Sequence, residues 1–295
     1  MHDLLLRSSA ASIRRDRVKD LAVILAGAVL LLTPALVNGF PFVYPDTGTY
    51  LASAFRGYVP VDRPYWYGVF LRVASLGGHS FWSMVCVQAL GCSSYVLRTL
   101  RLFAVPAVAR RRALVAFVLL AGASSAGFFM GQLMPDAFTG IGLLALLHFL
   151  VPRKTRAWQL LDLLVLLAAC WMHLSHLLIL PLSGALFLWM MRHMFSDAPW
   201  VRWVRLAGFT VLAWMGLGLA NLAVDGAFYI SRSGHAFLIA RLLDTGILKD
   251  WLDAHCSDTT RGLCHYKDSL PANGNVFLWK QESPLYRQGG WLATR

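Results

Sequence analysis

Apolar residues in this chain gather into long runs, with polar positions confined to short breaks between them. Runs close to the ~20 residues needed to cross a hydrocarbon core recur at 21–37, 79–97, 113–133 and 205–224. Two further stretches, 136–151 and 158–191, are apolar but broken or of unusual length. The second holds 34 residues, which would measure roughly 51 Å as one helix and exceeds a single crossing. The polar break "MHLSH" at 172–176 is its only candidate turn, so it divides into two short arms. Pro135 in "GQLMPDAF" disfavours helix at Met134, so the chain breaks there too, with Asp136 placed to cap the next helix.

The pattern predicts an all-α polytopic membrane protein with about seven transmembrane helices. Composition agrees: 57% of the 295 residues are hydrophobic, 14% are charged, and the mean hydropathy is +0.56. The net charge of +12 raises the question of nucleic acid, which the distribution of charge excludes. Basic residues cluster between the apolar runs at Arg14, Arg15, Arg17 and Lys19, at Arg98, Arg101 and 110–112, at Arg153, Lys154 and Arg156, and at Arg192, Arg202 and Arg205. Those clusters read as cytoplasmic loops. Counting crossings from them puts the N-terminus in the cytoplasm. The breaks at Asp136 and at His173–His176, the first loop and the C-terminal region then lie on the external face.

Three regions follow: a basic cytoplasmic segment, 1–20; a transmembrane domain, 21–225, carrying an external loop, 40–78; and an external C-terminal region, 226–295. The last changes composition and opens with "SGHAFLIARLLDTGILKDWLDAHC", whose three- and four-residue apolar spacing predicts one or two amphipathic helices. Cys256 and Cys264 flank a polar loop. In an oxidising compartment they would form a disulfide, with two free thiols as the alternative.

The first external loop carries the candidate chemistry. "YPDTGTYLASAFRGYVPVDRPYW" presents Asp46, Arg56, Arg63 and Trp66 within one segment. Asp46 suits a helix N-cap, and it equally suits a base beside guanidinium groups that neutralise a phosphate. His173 and His176, three residues apart, suit a phosphate or sugar contact, or backbone bonding at a helix break. Arg56 and Arg72 fit interfacial anchors, Trp66 a sugar-stacking ring, and Asp162 an ion pair with Arg156 or Lys154. Gln88 and Asn221 would bond between helices, and Arg241 with Asp244 would pair on a helix surface.

The order of a first span, "PD-x-x-x-YL", "RP-x-x-Y" leading into "FLRVASL", and "MPDAF" before the fourth span resembles the class C glycosyltransferases over about 21–188. The resemblance implies a multi-pass protein of the bacterial inner membrane. Its donor would be a sugar on polyprenyl phosphate and its acceptor a lipid or glycan at the external face. Asp46 then matches the first-loop acid, Asp136 a second acid, and Arg63 the basic residue before the loop re-enters the membrane. Arg56, Arg63, His173, His176 and Trp66 would meet donor phosphate or substrate. The resemblance requires no cofactor and leaves room for a divalent metal, although Thr47 stands where many members carry a second adjacent acid. Two other readings remain at this stage: a non-catalytic polyprenyl-lipid carrier or scaffold, and a small-solute transporter.

Overall fold

The computed structural model describes residues 2–151, 155–193, 199–256 and 262–291, with residues 2–13 and 199 described by their backbone alone. Among these residues every regular element is helical, and the one β feature is an isolated bridge between Phe42 and Gln132. The chain divides into two compact units, one of residues 1–58 and 64–220, the other of 59–63 and 221–295.

Among the described residues the first unit holds ten helices: α1 (His2–Asn38), α2 (Pro45–Arg56), α3 (Trp66–Ala74), α4 (Phe81–Leu100), α5 (Pro106–Ala123), α6 (Ala126–Gly131), α7 (Ala137–Leu150), α8 (Arg156–Met172), α9 (His176–Met190) and α10 (Pro199–Asp225). The last turn of α10, from Asn221, belongs to the second unit. Among the described residues two stretches are long and apolar enough to cross a membrane, 14–38 in α1 and 200–225 in α10; α7 and α9 are apolar but shorter. The expected seven crossings are therefore not established by length and hydropathy. The reason is local: α4 carries Gln88, Ser93, Ser94 and Arg98, α5 carries Arg110 to Arg112, and α8 opens on Arg156 and holds Asp162.

Several expected loops are helix instead. Arg14 to Lys19 lie in α1, Arg110 to Arg112 inside α5, and Arg202 and Arg205 inside α10. Pro106 starts α5 early, because its fixed φ and missing N–H suit a first helical position. The apolar run 113–133 is not one helix, since it breaks at Ser124, whose backbone is extended, before α6. Helical geometry lets the basic residues find partners: Arg110 binds Asp16 and Asp20 of α1, and Arg101 also binds Asp20.

The interior of this unit is partly polar and its exterior largely apolar. Gln88, Ser93, His148, Asp162 and His176 are buried. By contrast Leu25, Val29, Val118, Leu164, Leu182, Val211 and Leu219 are exposed. Water would penalise that surface at about 25 cal/mol for each Å². Close helix contact depends on small residues. A Cβ on Gly27 would lie 2.4 Å from the Phe117 ring, and one on Gly68 would lie 2.8 Å from the Tyr50 carbonyl, so α5 seats against α1 and α3 against α2. Side chains secure α10: the indole N–H of Trp171 donates to Ala213 O at 3.0 Å and that of Trp214 to Leu177 O at 3.2 Å.

Of the two ion pairs expected of Asp162, the one with Lys154 lies outside the described residues, and the partner found among them is Arg98 rather than Arg156. Its carboxylate, fully buried, accepts from Arg98 at 2.7 Å and from the Tyr95 hydroxyl at 2.9 Å. The Arg98 guanidinium also lies 4.5 Å from the ring centres of Tyr95 and Trp158. An Asp buried against α4 needs a cation of matching depth, and α4 supplies one from its last turn.

The second unit has its own small core of Ala236, Ala240, Leu243, Leu248, Leu252, Phe277, Leu278 and Leu285. These residues come from α11 (Gly234–Asp244), α12 (Ile247–His255), α13 (Gly274–Trp279) and α14 (Pro284–Arg287), with a 3-10 helix at Gly262–Ser269. Cys256 and Cys264 are joined by a disulfide with Cα atoms 5.5 Å apart. Asp244 does not pair with Arg241; it accepts from the backbone N–H of Gly274 at 2.7 Å, holding α13 against α11. Asn221 bonds locally to Tyr229 O at 2.9 Å rather than to another helix.

Candidate functional site

The loop after α1 and the break before α7 are stitched together within the first unit. Phe42 donates its N–H to Gly131 O at 2.9 Å, and Leu133 donates to Phe42 O at 2.8 Å. The Thr47 hydroxyl donates to Leu133 O at 3.1 Å and lies 3.8 Å from the Met134 sulfur. The same oxygen accepts from the N–H of Tyr44 at 3.0 Å. Asp46 is therefore not the cap of α2; it lies in the first turn, half-buried, with Pro45 before it and Tyr44 at the cap position.

Gln88 of α4 ties a third element to this seam. Its amide nitrogen donates to Met130 O at 3.2 Å and Gln132 O at 3.1 Å, while its oxygen accepts from the Tyr67 hydroxyl at 3.5 Å. Burial, followed by the neighbouring Tyr50 and Asp136, holds the Tyr67 phenol well above its usual pKa, so it stays a neutral donor.

Asp136 occupies the cap position of α7 without a capping bond from its side chain. Its carboxylate faces His173 instead, with Oδ1 3.9 Å from Nε2 and both side chains half-buried. The two histidines do not share one helix face, because the helix ends between them: His173 closes α8 and His176 opens α9. Their rings lie 5.0 Å apart. His176 is committed to the fold, since its Nδ1–H donates to Ala169 O at 2.8 Å. Nε2 must then accept, and the Thr139 hydroxyl donates to it at 2.8 Å. Both ring nitrogens are used, so the contact expected of His176 with a ligand is better assigned to His173.

Trp66, at the start of α3, lies 5.6 Å from Trp171 and 5.8 Å from Tyr65 between ring centres. Its indole nitrogen is buried without a hydrogen-bond partner. Phe70 of the same helix meets Phe138 of α7 at 5.0 Å. Arg56 is exposed at the end of α2. Arg72 donates to Ala54 O at 3.2 Å and covers the Phe55 ring, so it fastens α3 to α2. Arg63 falls in the second unit, where Asp62 lies 3.3 Å from its Nε.

The first unit thus carries the Asp46 turn, Asp136, His173, His176 and the Trp66–Trp171 pair on α2, α3, the last turn of α8 and the breaks that precede α7 and α9. Gln88 bonds between helices as expected, to Tyr67 of α3 and to Met130 of α6, whereas the roles of Thr47 and Tyr67 have no local signal, since their partners lie 86 and 21 residues away. An apolar groove of about 800 Å³ runs beside the seam, lined by Leu30, Pro34, Val37, Phe42, Val118 and Phe128. Among the described residues no group of three or more His, Cys, Asp or Glu side chains could hold a metal ion. Asp136 with His173 is a pair only, which does not fit a resident divalent metal. Comparison with protein-family models, with curated proteins and with solved structures finds no match for this chain.

Proposed function

We propose that this chain is a multi-pass membrane glycosyltransferase that moves a sugar from a polyprenyl-phosphate donor to a lipid or glycan acceptor on the external face of a bacterial inner membrane. In this reading α1, α4, α5 with α6, α7, α8, α9 and α10 are the seven spans. Their outward apolar and inward polar side chains support a lipid surround. The observation that carries the reading is the seam itself, which bonds Thr47, the neighbour of Asp46, to Leu133, three residues before Asp136.

Asp46 takes the proton of the acceptor hydroxyl as that oxygen attacks the anomeric carbon, and the bond from that carbon to the phosphate oxygen breaks. His173, with Asp136 beside it, meets the departing phosphate. The apolar groove at Phe42 suits a prenyl chain entering from the bilayer. Asp46→Asn in reconstituted vesicles tests the assignment: transfer of radiolabelled sugar falls at least a hundredfold while binding of the polyprenyl lipid persists. Retained transfer sinks the base role. Lipid binding with no transfer even by the unaltered chain favours the carrier reading instead.

A further inference from the structure

We propose that Ser175 is an activated nucleophile that accepts an acyl group from a membrane-borne ester, with His173 as its base and Asp136 as the residue that orients the imidazole. This goes beyond the sugar-transfer reading, in which Ser175 has no part, and it makes no use of Asp46.

The order of donors and acceptors carries the inference. The backbone N–H of Ser175 points at His173 Nδ1 from 3.4 Å, and a backbone N–H can only donate. Nδ1 is therefore the unprotonated nitrogen, and the Ser175 hydroxyl, 2.8 Å from it, donates as well. The ring proton of neutral His173 then sits on Nε2, the nitrogen that faces Asp136 Oδ1 at 3.9 Å. Carboxylate, imidazole and hydroxyl stand in the sequence that moves a proton off the serine, which is how a nucleophile, base and orienting acid are recognised irrespective of fold. The 3.9 Å separation is longer than a hydrogen bond, and such contacts commonly tighten when substrate binds.

Surroundings define the substrate class. Ser175 is exposed and immediately precedes α9, whose exposed residues Leu178, Ile179, Leu182 and Leu186 recur at the spacing of one helix face below it. An acyl chain laid along that stripe brings its carboxyl end to the hydroxyl. Ser175 Oγ attacks the carbonyl carbon and its proton passes to His173 Nδ1. The tetrahedral adduct then breaks its bond to the alcohol oxygen, and the alcohol leaves with that proton. Water or a second alcohol next attacks the acyl-serine, gives its proton to Nδ1, and Ser175 recovers it as the acyl group departs.

The test treats the full-length chain in nanodiscs with a long-chain alkyl fluorophosphonate and locates the adduct by peptide mass spectrometry. The proposal expects modification at Ser175 in the unaltered chain and in Asp46→Asn, none in Ser175→Ala, and at least a tenfold slower rate in His173→Ala. For Asp136→Asn it expects a slower rate with a displaced pH profile, the signature of an orienting residue. Long-chain p-nitrophenyl esters should also acylate Ser175 faster than acetate esters. An unaltered chain with no adduct at Ser175, an adduct elsewhere only, or a rate indifferent to His173→Ala overturns it. Loss of sugar transfer in Asp46→Asn with Ser175 labelling intact separates the two readings.

Discussion

Thr47 and Leu133, far apart in the chain, are joined by a hydrogen bond of 3.1 Å that is the central stitch between the first loop and the break before α7. The Thr47 oxygen simultaneously accepts from Tyr44, so it serves as donor and acceptor in a buried position.

Thr47→Val keeps the shape and removes both bonds. Leaving the Leu133 carbonyl and the Tyr44 N–H without their partner should cost about 1–3 kcal/mol for each group that stays buried. Thermal unfolding of the detergent-solubilised chain should show a lowered midpoint, and Thr47→Ser should recover most of it. An unchanged midpoint in the valine variant would show that the seam does not depend on this hydroxyl.

Arg98 and Asp162 define a second test. Removing either partner strands a charge at depth, so Arg98→Met or Asp162→Asn alone should destabilise by about 3–5 kcal/mol. The double variant should lose clearly less than the sum, because the bare charge is gone. Chemical denaturation of all four forms closes the cycle. Additive losses would mean that Tyr95 and Trp158, rather than the ion pair, account for the energy.

Opening the Cys256–Cys264 link should act on the second unit. A closed loop this short contributes about 2–3 kcal/mol by restricting the unfolded chain. Cys256→Ser with Cys264→Ser should speed backbone hydrogen exchange in α11 to α14 while leaving α4 and α7 unchanged. Equal acceleration everywhere would show that the two units unfold together.

What the chain order made legible was the placement of breaks. Met172–His176 stood out because polar residues interrupt an apolar run too long for one span, and α8 and α9 do separate there. Pro135 marked the other break for the same kind of local reason. That Gln88 bonds between helices was legible, but which groups it meets was not. For Asp162 the reading looked to basic residues close in the chain and passed over Arg98, 64 residues earlier, which reaches it through the contact of α8 with α4. The basic clusters at 14–19, at 110–112 and at Arg202 and Arg205 are helix rather than loop because Arg is a good helix former, and burial of its stem with an acid on α1 suits a helix end as well as a connection; Arg101 and Arg192 do lie in connections, and Arg153 and Lys154 lie outside the described residues. His173 and His176 looked alike in sequence. Only the carbonyl of Ala169 and the hydroxyl of Thr139 make one of them a structural fixture, and the pair faces different work.

Gln88 spends its whole carboxamide on neighbours: one end serves Tyr67 and the other two carbonyls of the stretch before Asp136. Helices α3 and α4 and that stretch are consequently tied together at one side chain. Parting them to admit a bulky guest would strip a buried carboxamide of its partners, a cost that Ser175, between α8 and α9, does not carry.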